Sequence, residues 1–269
     1  MGGDAVLIAQ ISDLHIFEPG RQFAGHVDTA ALCAAAIDHV NKLDPAPDMV
    51  LVTGDLVDSG RHEQYAYLRS ILSALRAPVR LLPGNHDDRL VIREIFFADR
   101  PATDRLSDVV DLDGLRLVLL DDVIPGSPSG ELGGEQLEWL DTLLASEPDL
   151  PVIVALHHPP FATGIVHMDG MGLLDAAAFE AVIRRHPQVA AVIAGHLHRP
   201  ITTTWAGTIA MTAPSVAHQV TLDFRVGAPA TFSLEPPAML LHLWTASSGL
   251  VSHVSYIGRY EGPFPFPHD

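Results

Sequence analysis

Gly84-Asn85-His86-Asp87-Asp88 is the stretch on which the reading of this chain turns. The apolar run Pro78, Val79, Leu81, Leu82 leads into it, and Pro83-Gly84 marks where a short buried strand must stop. A turn at that point presents a neutral amide oxygen on Asn85, an imidazole on His86 and a carboxylate on Asp87 that could orient the imidazole. Ordinary turns also favour Asn, Asp and Gly. The pentapeptide therefore gains meaning only from what recurs elsewhere.

Four other strand ends carry the same kind of chemistry. Residues 6–11 read as a buried strand ending in Ser12-Asp13-Leu14-His15, where alternation puts Asp13 and His15 on one side of extended backbone. Met49-Val50-Leu51-Val52 runs into Thr53-Gly54-Asp55. The apolar run 152–156 ends in His157-His158-Pro159-Pro160, whose prolines pre-set the backbone. Val189–Ala194 ends in Gly195-His196-Leu197-His198, with two histidines again two apart. Apolar spacing predicts helices over 29–43, 61–75, 90–98, 135–144 and 175–185. Such alternation of strands and helices defines an α/β fold, in which ligands bind where the strands end.

The remaining segments are read as follows. Residues 109–120 form a hairpin, and Asp121-Asp122 behind it are expected to be a solvated turn. Residues 17–28, with Gly and Pro, suit a lid or specificity loop. After Thr202, alternation predicts antiparallel strands near 209–212, 219–223, 239–244 and 251–256. Residues 258–269 are rich in Pro and aromatics and cannot form a core, so they are expected to dock on the body or on another subunit. One domain, 1–257, and a docking tail, 258–269, result.

A chain of 269 residues, 48% apolar and 18% charged, is globular. Its net charge of −17 argues against nucleic-acid polymers and anionic membrane surfaces as partners. It would also repel a small anionic substrate, unless bound cations reverse the local field. Cys33 is the only cysteine, which excludes an intrachain disulfide and a thiolate metal site. No apolar stretch approaches the length of a membrane span, and no basic segment precedes the first apolar run, so a cytoplasmic location is expected. Histidines number 15 against 16 Lys plus Arg, and histidine is the commonest metal ligand.

Taken in order, Asp13-x-His15, Gly54-Asp55, Gly84-Asn85-His86-Asp87, His157-His158 and Gly195-His196-x-His198 resemble the motifs of the calcineurin-like metallophosphoesterases. The full Gly84–Asp88 stretch, His157-His158-Pro159-Pro160, Gly195-His196-Leu197-His198 and His218-Gln219 look like the class III cyclic-nucleotide phosphodiesterase and bacterial glycerophosphodiesterase group. Gly25-His26-Val27-Asp28 and Tyr260-Glu261-Gly262-Pro263 look most like the glycerophosphodiesterase branch.

The resemblance implies two stacked mixed β-sheets flanked by helices, with the strand-rich end of the chain supplying the second sheet. It implies one metal on Asp13, His15 and His198, a second on Asn85, His157 and His196, and Asp55 as the bridge. Nitrogen and oxygen donors of this kind suit Mn, Fe, Co or Zn. A metal-bound hydroxide would then attack a small phosphodiester, either a glycerophosphodiester or a cyclic nucleotide. His86 with Asp87 would be the catalytic pair, Asn85 and His218 would contact substrate, and His158 would support its neighbours. The same site could serve a phosphomonoesterase or a phosphonate-ester hydrolase. A non-catalytic metal-binding interaction protein would be expected to lack ligands, and none is missing. A homo-oligomer is expected from the aromatic tail.

Overall fold

The computed structural model describes residues 5–99 and 105–267. Strand β1 (Ala5–Ile11) is followed by α1 (Thr29–Asn41), β2 (Met49–Thr53), α2 (His62–Leu72), β3 (Val79–Leu82) and α3 (Arg89–Phe96). The pair β4 (Asp108–Leu112) and β5 (Leu115–Leu119) comes next, then α4 (Gly134–Ser146), β6 (Val152–Ala155), α5 (Val166–Asp169), α6 (Ala176–Ile183) and β7 (Val189–Ala194). The chain continues through β8 (Ile201–Trp205), β9 (Thr208–Thr212), the two-residue strands β10 (Gln219–Val220) and β11 (Phe232–Ser233), β12 (Ala238–Thr245) and β13 (Gly249–Tyr256). Two helix starts are set by carboxylates already visible in the motifs. Asp28 accepts the amide of Ala31 at 2.9 Å to open α1, and Asp88 accepts the amide of Leu90 at 2.8 Å to open α3.

The strands form two mixed sheets. One runs β13-β12-β1-β2-β3 and the other β4-β5-β6-β7-β9-β8, with a separate two-stranded β10-β11 ribbon. Strands β1, β2 and β3 are parallel, as are β5, β6, β7 and β9. Period-two alternation sorts their side chains into layers. Val6 and Ile8 of β1 meet Leu117, Ile153 and Ile193 of the other sheet between the two sheets. Ala9 and Ile11 face the opposite way, against Cys33, Ile37, Tyr65 and Leu68 of α1 and α2. Val154 and Val192 likewise face Leu140 of α4 and Phe179 of α6. The architecture is therefore helix, sheet, sheet, helix.

One expectation about this architecture is corrected. The strand-rich end does not supply the second sheet as a unit. Strands β8 and β9 extend the sheet that β4 to β7 had built, whereas β12 and β13 return to pair antiparallel with β1. The reason lies in β12. Its residues Ala238, Met239, Leu240, His242 and Trp244 are buried, which fits the inner position beside β1, and β13 with its exposed residues forms the sheet edge. The strand expected over 219–223 is confined to Gln219–Val220.

Candidate metal centre

The parallel strands of both sheets end at the same edge of the sandwich, so their loops meet there. The connections are direct. Asp13 N–H donates to the Gly54 carbonyl at 3.1 Å, Gly195 N–H to the His157 carbonyl at 3.0 Å, and His196 N–H to Asp13 Oδ1 at 3.1 Å. Backbone conformation marks the same place. Among the described residues seven non-glycine residues have positive φ, and five of them are Asp13, His15, Asp55, His196 and His198. Each left-handed residue costs on the order of 1 kcal/mol or more and persists only where its surroundings hold it. Close approach adds to the constraint. A Cβ on Gly84 would lie 2.2 Å from Asp55 Oδ1, and one on Gly54 2.3 Å from His157 Nδ1.

Two donor sets meet at the two oxygens of one carboxylate. Asp55 Oδ2 lies 3.5 Å from His15 Nε2, and Asp55 Oδ1 lies 3.5 Å from His157 Nε2. Around the first, His15 Nε2 and His198 Nε2 are 3.1 Å apart, and His198 Nε2 is 3.5 Å from Asp13 Oδ1. Around the second, Asn85 Oδ1 lies 3.1 Å from both His157 Nε2 and His196 Nδ1. All the histidines and carboxylates of this group are buried. The structure thus brings together all seven residues expected as ligands.

Tautomers can be read from the outer hydrogen bonds. His157 Nδ1 donates to the Thr53 carbonyl at 2.7 Å, and His198 Nδ1 donates to the His218 carbonyl at 2.8 Å. Each neutral ring then turns the lone pair of Nε2 toward its carboxylate and its neighbouring donor. Asp13 Oδ2 and His196 Nε2 are buried without hydrogen-bond partners. A proton can be shared by two such donors, whereas a divalent cation accepts lone pairs from three or four at once. The residues fit metal ions on this ground. The Asp55 charge draws a proton to the same lone pairs that a cation would take. Burial works against the charged Asp55 carboxylate, yet His157 and His15 hold its pKa well below the ordinary value. Burial works against a His157 proton, but the Asp55 charge raises that imidazole to about 10. Burial lowers His198 to about 4 and His218 to about 2.

His86 sits beside this group, its ring edge-on to His15 with centres 4.7 Å apart. Its backbone N–H donates to Asp55 Oδ1 at 3.0 Å, and its Nδ1 donates to the Asp58 carbonyl at 2.7 Å. Burial disfavours a charge on His86, but Asp55 and the Asp58 carbonyl together raise its pKa.

Asp87 does not orient His86, contrary to expectation. Its carboxylate accepts from the amides of Gly84 (2.8 Å), Leu56 (3.0 Å) and Val57 (3.2 Å) and from the Tyr65 hydroxyl (2.9 Å). It staples the loop after β2 to the loop after β3, a role that the residue order alone does not reveal. Asp58 and Tyr65 were not anticipated as parts of the site, and Tyr65 gave no signal beyond an apolar helix face.

Asp121 and Asp122 are also corrected, since both are fully buried. Arg89 donates to the two oxygens of Asp121 at 2.6 and 2.8 Å. Asp122 Oδ2 accepts the backbone amide of His158 at 2.8 Å and its Nδ1–H at 3.1 Å. These carboxylates find cations and amides inside the fold, so they need no solvent. Nε2 of His158 lies 3.2 Å from the Pro128 carbonyl, so both ring nitrogens face partners on the 121–130 segment. His218 lies 5.3 Å from His15, ring to ring, and Phe23 of the 17–28 loop stacks on it at 4.1 Å.

Comparison with known proteins places this geometry. The family model for calcineurin-like phosphoesterases matches residues 6–200, and the chain belongs to that family. It is 38% identical over 264 residues to a probable glycerophosphodiester phosphodiesterase GpdQ of Arcobacter nitrofigilis, covering 97% of each chain. It is 34% identical over 263 residues to a probable cyclic nucleotide phosphodiesterase of Rhodopseudomonas palustris, covering 96% of this chain and 95% of that one. Among solved structures, a dimetal phosphatase from Danio rerio superposes with a TM-score of 0.65 at 15% identity, over 95% of this chain and all of that one. The last shows a shared fold. Among the described residues, no helix is long and apolar enough to cross a membrane.

Proposed function

We propose that the chain is a dimetal phosphodiesterase acting on small phosphodiesters, glycerophosphodiesters or cyclic nucleotides among them. The observation that carries this reading is the division of Asp55, one oxygen facing His15 and the other His157, each 3.5 Å away. Asp13, His15 and His198 would hold one cation and Asn85, His157 and His196 the other, with Asp55 shared. The all-nitrogen-and-oxygen donor set favours Mn, Fe, Co or Zn. Such a pair of ions supplies an activated water and neutralises charge developing at phosphorus.

The chain's own residues would do the rest. Asn85 and His218 would contact the phosphoryl group. The Asp58 carbonyl fixes the His86 tautomer at Nδ1, so the exchangeable proton of the imidazolium is on Nε2, where it can pass to the departing alkoxide. Asp87 keeps Asp55 and Asn85 in register through its four hydrogen bonds. The relatives named for glycerophosphodiester and cyclic-nucleotide hydrolysis support a diester substrate, and their end-to-end match supports a single domain over 1–257. Residues 258–269 would serve as a docking tail between copies of the chain.

Dialysis against a chelator should abolish hydrolysis of bis-p-nitrophenyl phosphate, and Mn²⁺, Co²⁺, Fe²⁺ or Zn²⁺ should restore it. Full activity in verified metal-free protein would remove the dimetal reading. Near-neutral monoesters carry about two charges and diesters one, and the acidic chain offers little to clamp the second. The bis ester should therefore show the higher kcat/KM. A preference for p-nitrophenyl phosphate would favour a phosphomonoesterase instead.

A further inference from the structure

Strand β13 forms one edge of the five-stranded sheet, and it is built unlike the other sheet edges. β3 spans four residues, β4 carries Asp108 and Asp111, and β8 starts directly after Pro200. Shortness, charge and proline are the usual means by which a strand edge is kept from pairing with another chain. β13 has none of them. Its eight residues, Gly249–Tyr256, include no Asp, Glu, Lys, Arg or Pro. The register with β12, from Gly249 opposite Thr245 to Tyr256 opposite Ala238, is unbroken by any bulge.

The ladder itself fixes which groups face outward. The Ile257 N–H donates to the Pro237 carbonyl at 2.8 Å, so these two residues stand at a hydrogen-bonded position. Bonded and non-bonded pairs alternate along an antiparallel ladder. Gly249, Val251, His253 and Ser255 therefore turn their amides toward β12. Leu250, Ser252, Val254 and Tyr256 turn theirs away from the sheet. Among the described residues no strand lies beyond β13, and no loop backbone bonds to these four amides. His253, Val254 and Tyr256 are exposed as well.

We propose that β13 pairs edge to edge and antiparallel with β13 of a second copy of this chain, on a two-fold axis at His253. The strand is complementary to itself in that register. Leu250 comes opposite the partner's Tyr256 and Ser252 opposite the partner's Val254, each pair exchanging two hydrogen bonds through the outward amides. On the other face of the sheet Val251 meets the partner's Ser255, and the two His253 side chains meet at the axis. Moving the axis to Ser252 or Val254 would leave one of the four outward residues unpaired. No carboxylate meets another across this edge, which matters in a chain of net charge −17. The reciprocity of the contact closes it at two copies, which a strand of unrelated sequence would not do. Two five-stranded sheets then become one of ten. Ile257 comes level with the partner's Gly249, so the aromatic tail flanks the joint and reinforces it. No residue of the metal centre takes part.

Sedimentation velocity of the full chain should give a dimer. In His253→Cys the two thiols meet across a non-hydrogen-bonded pair with Cα atoms about 4.5 Å apart, within reach of a disulfide. Oxidation should link most of that variant into a covalent dimer on a non-reducing gel. Val251→Cys should stay unlinked, because its two thiols lie four residues apart along the ladder, about 13 Å. Wild type, whose Cys33 is buried, should stay unlinked too. Val254→Pro removes an outward N–H and leaves the bonds to β12 in place. It should raise the dimer dissociation constant about tenfold or more, with metal content and kcat/KM on bis-p-nitrophenyl phosphate unchanged. His253→Lys sets two charges face to face at an exposed position that the lone chain tolerates, and it should raise the constant several-fold. A monomeric full chain would overturn the proposal. So would a dimer that both substitutions leave intact, or a His253→Cys that links no better than Val251→Cys.

Discussion

At the scale of single residues, His86 and His196 lie in adjacent loops yet stand in different relations to the donor sets. His196 Nδ1 faces Asn85 Oδ1 at 3.1 Å, whereas His86 reaches the group through its backbone amide and a ring contact. Replacing His196 with Ala should therefore lower metal content by about one ion per chain. His86→Ala should keep both ions by elemental analysis while kcat falls about 10²- to 10⁴-fold, the usual contribution of a general acid. The deficit should be larger for an alkyl diester than for a p-nitrophenyl one, because a poor leaving group depends more on its proton. Loss of metal in His86→Ala would mean that this histidine is itself a ligand. The motif histidines and carboxylates were legible from residue order because each follows an apolar run at a strand end. Asp87, Asp121 and Asp122 were misread for a common reason. A carboxylate next to a turn looks the same in sequence whether its hydrogen-bond donors are water or, as here, buried amides, a tyrosine and an arginine.

At the scale of elements, a polar thread crosses the otherwise apolar sandwich between β1, β2, β7 and β12. Gln10 Nε2 donates to Thr53 Oγ1 and to the Ala194 carbonyl, both at 3.0 Å, which ties the first sheet to the second. Its Oε1 accepts His242 Nε2–H at 2.9 Å, and Ser252 of β13 donates to His242 Nδ1 at 2.7 Å. The neutral His242 ring satisfies every group in the thread, and a charge there would be buried without a counter-ion among these partners. Burial accordingly lowers its pKa from 6.5 to about 4. The unfolded chain takes up this proton below pH 6.5, and the folded protein resists until about pH 4. Stability from this group is complete above the upper value and is lost as pH falls toward the lower one, about 3 kcal/mol in all. Urea unfolding at pH 7.5 and pH 5 should show wild type losing about 2 kcal/mol more than His242→Gln over that interval. Equal losses would show that the folded protein protonates His242 as readily as the unfolded chain does. The strands themselves were legible from period-two and continuous apolar runs, and β7 falls on Val189–Ala194 as expected. Their partners were not, since pairing of β12 with β1 joins residues more than two hundred positions apart, and neither run encodes which edge it will meet.

At the scale of the whole molecule, exposed apolar side chains gather in two late segments. Leu222, Phe224, Val226 and Leu234 flank the β10-β11 ribbon, each more than half exposed. Tyr256, Tyr260, Phe264 and Phe266 follow from β13 into the tail, at 55%, 62%, 74% and 89% exposure. The tail therefore turns its rings outward, and β13 presents its unpaired edge and the half-exposed Val251 and Val254 nearby. Exposed rings and an open strand edge of this density mark a contact surface, and the net charge of −17 opposes association that is not built on such contacts. The chain should accordingly self-associate through this region. Ile257 is buried and its N–H donates to the Pro237 carbonyl at 2.8 Å, so a chain ending there keeps β13 anchored while losing the tail. Light scattering should give an oligomer for the full chain and a shift toward monomer for the shortened one. Metal content and kcat/KM on bis-p-nitrophenyl phosphate, read alongside, separate a tail that only joins copies from one that also shapes the site. A monomer in both forms would mean that the rings face solvent for some other purpose, and an oligomer in both would move the contact to the β13 edge and the β10-β11 ribbon.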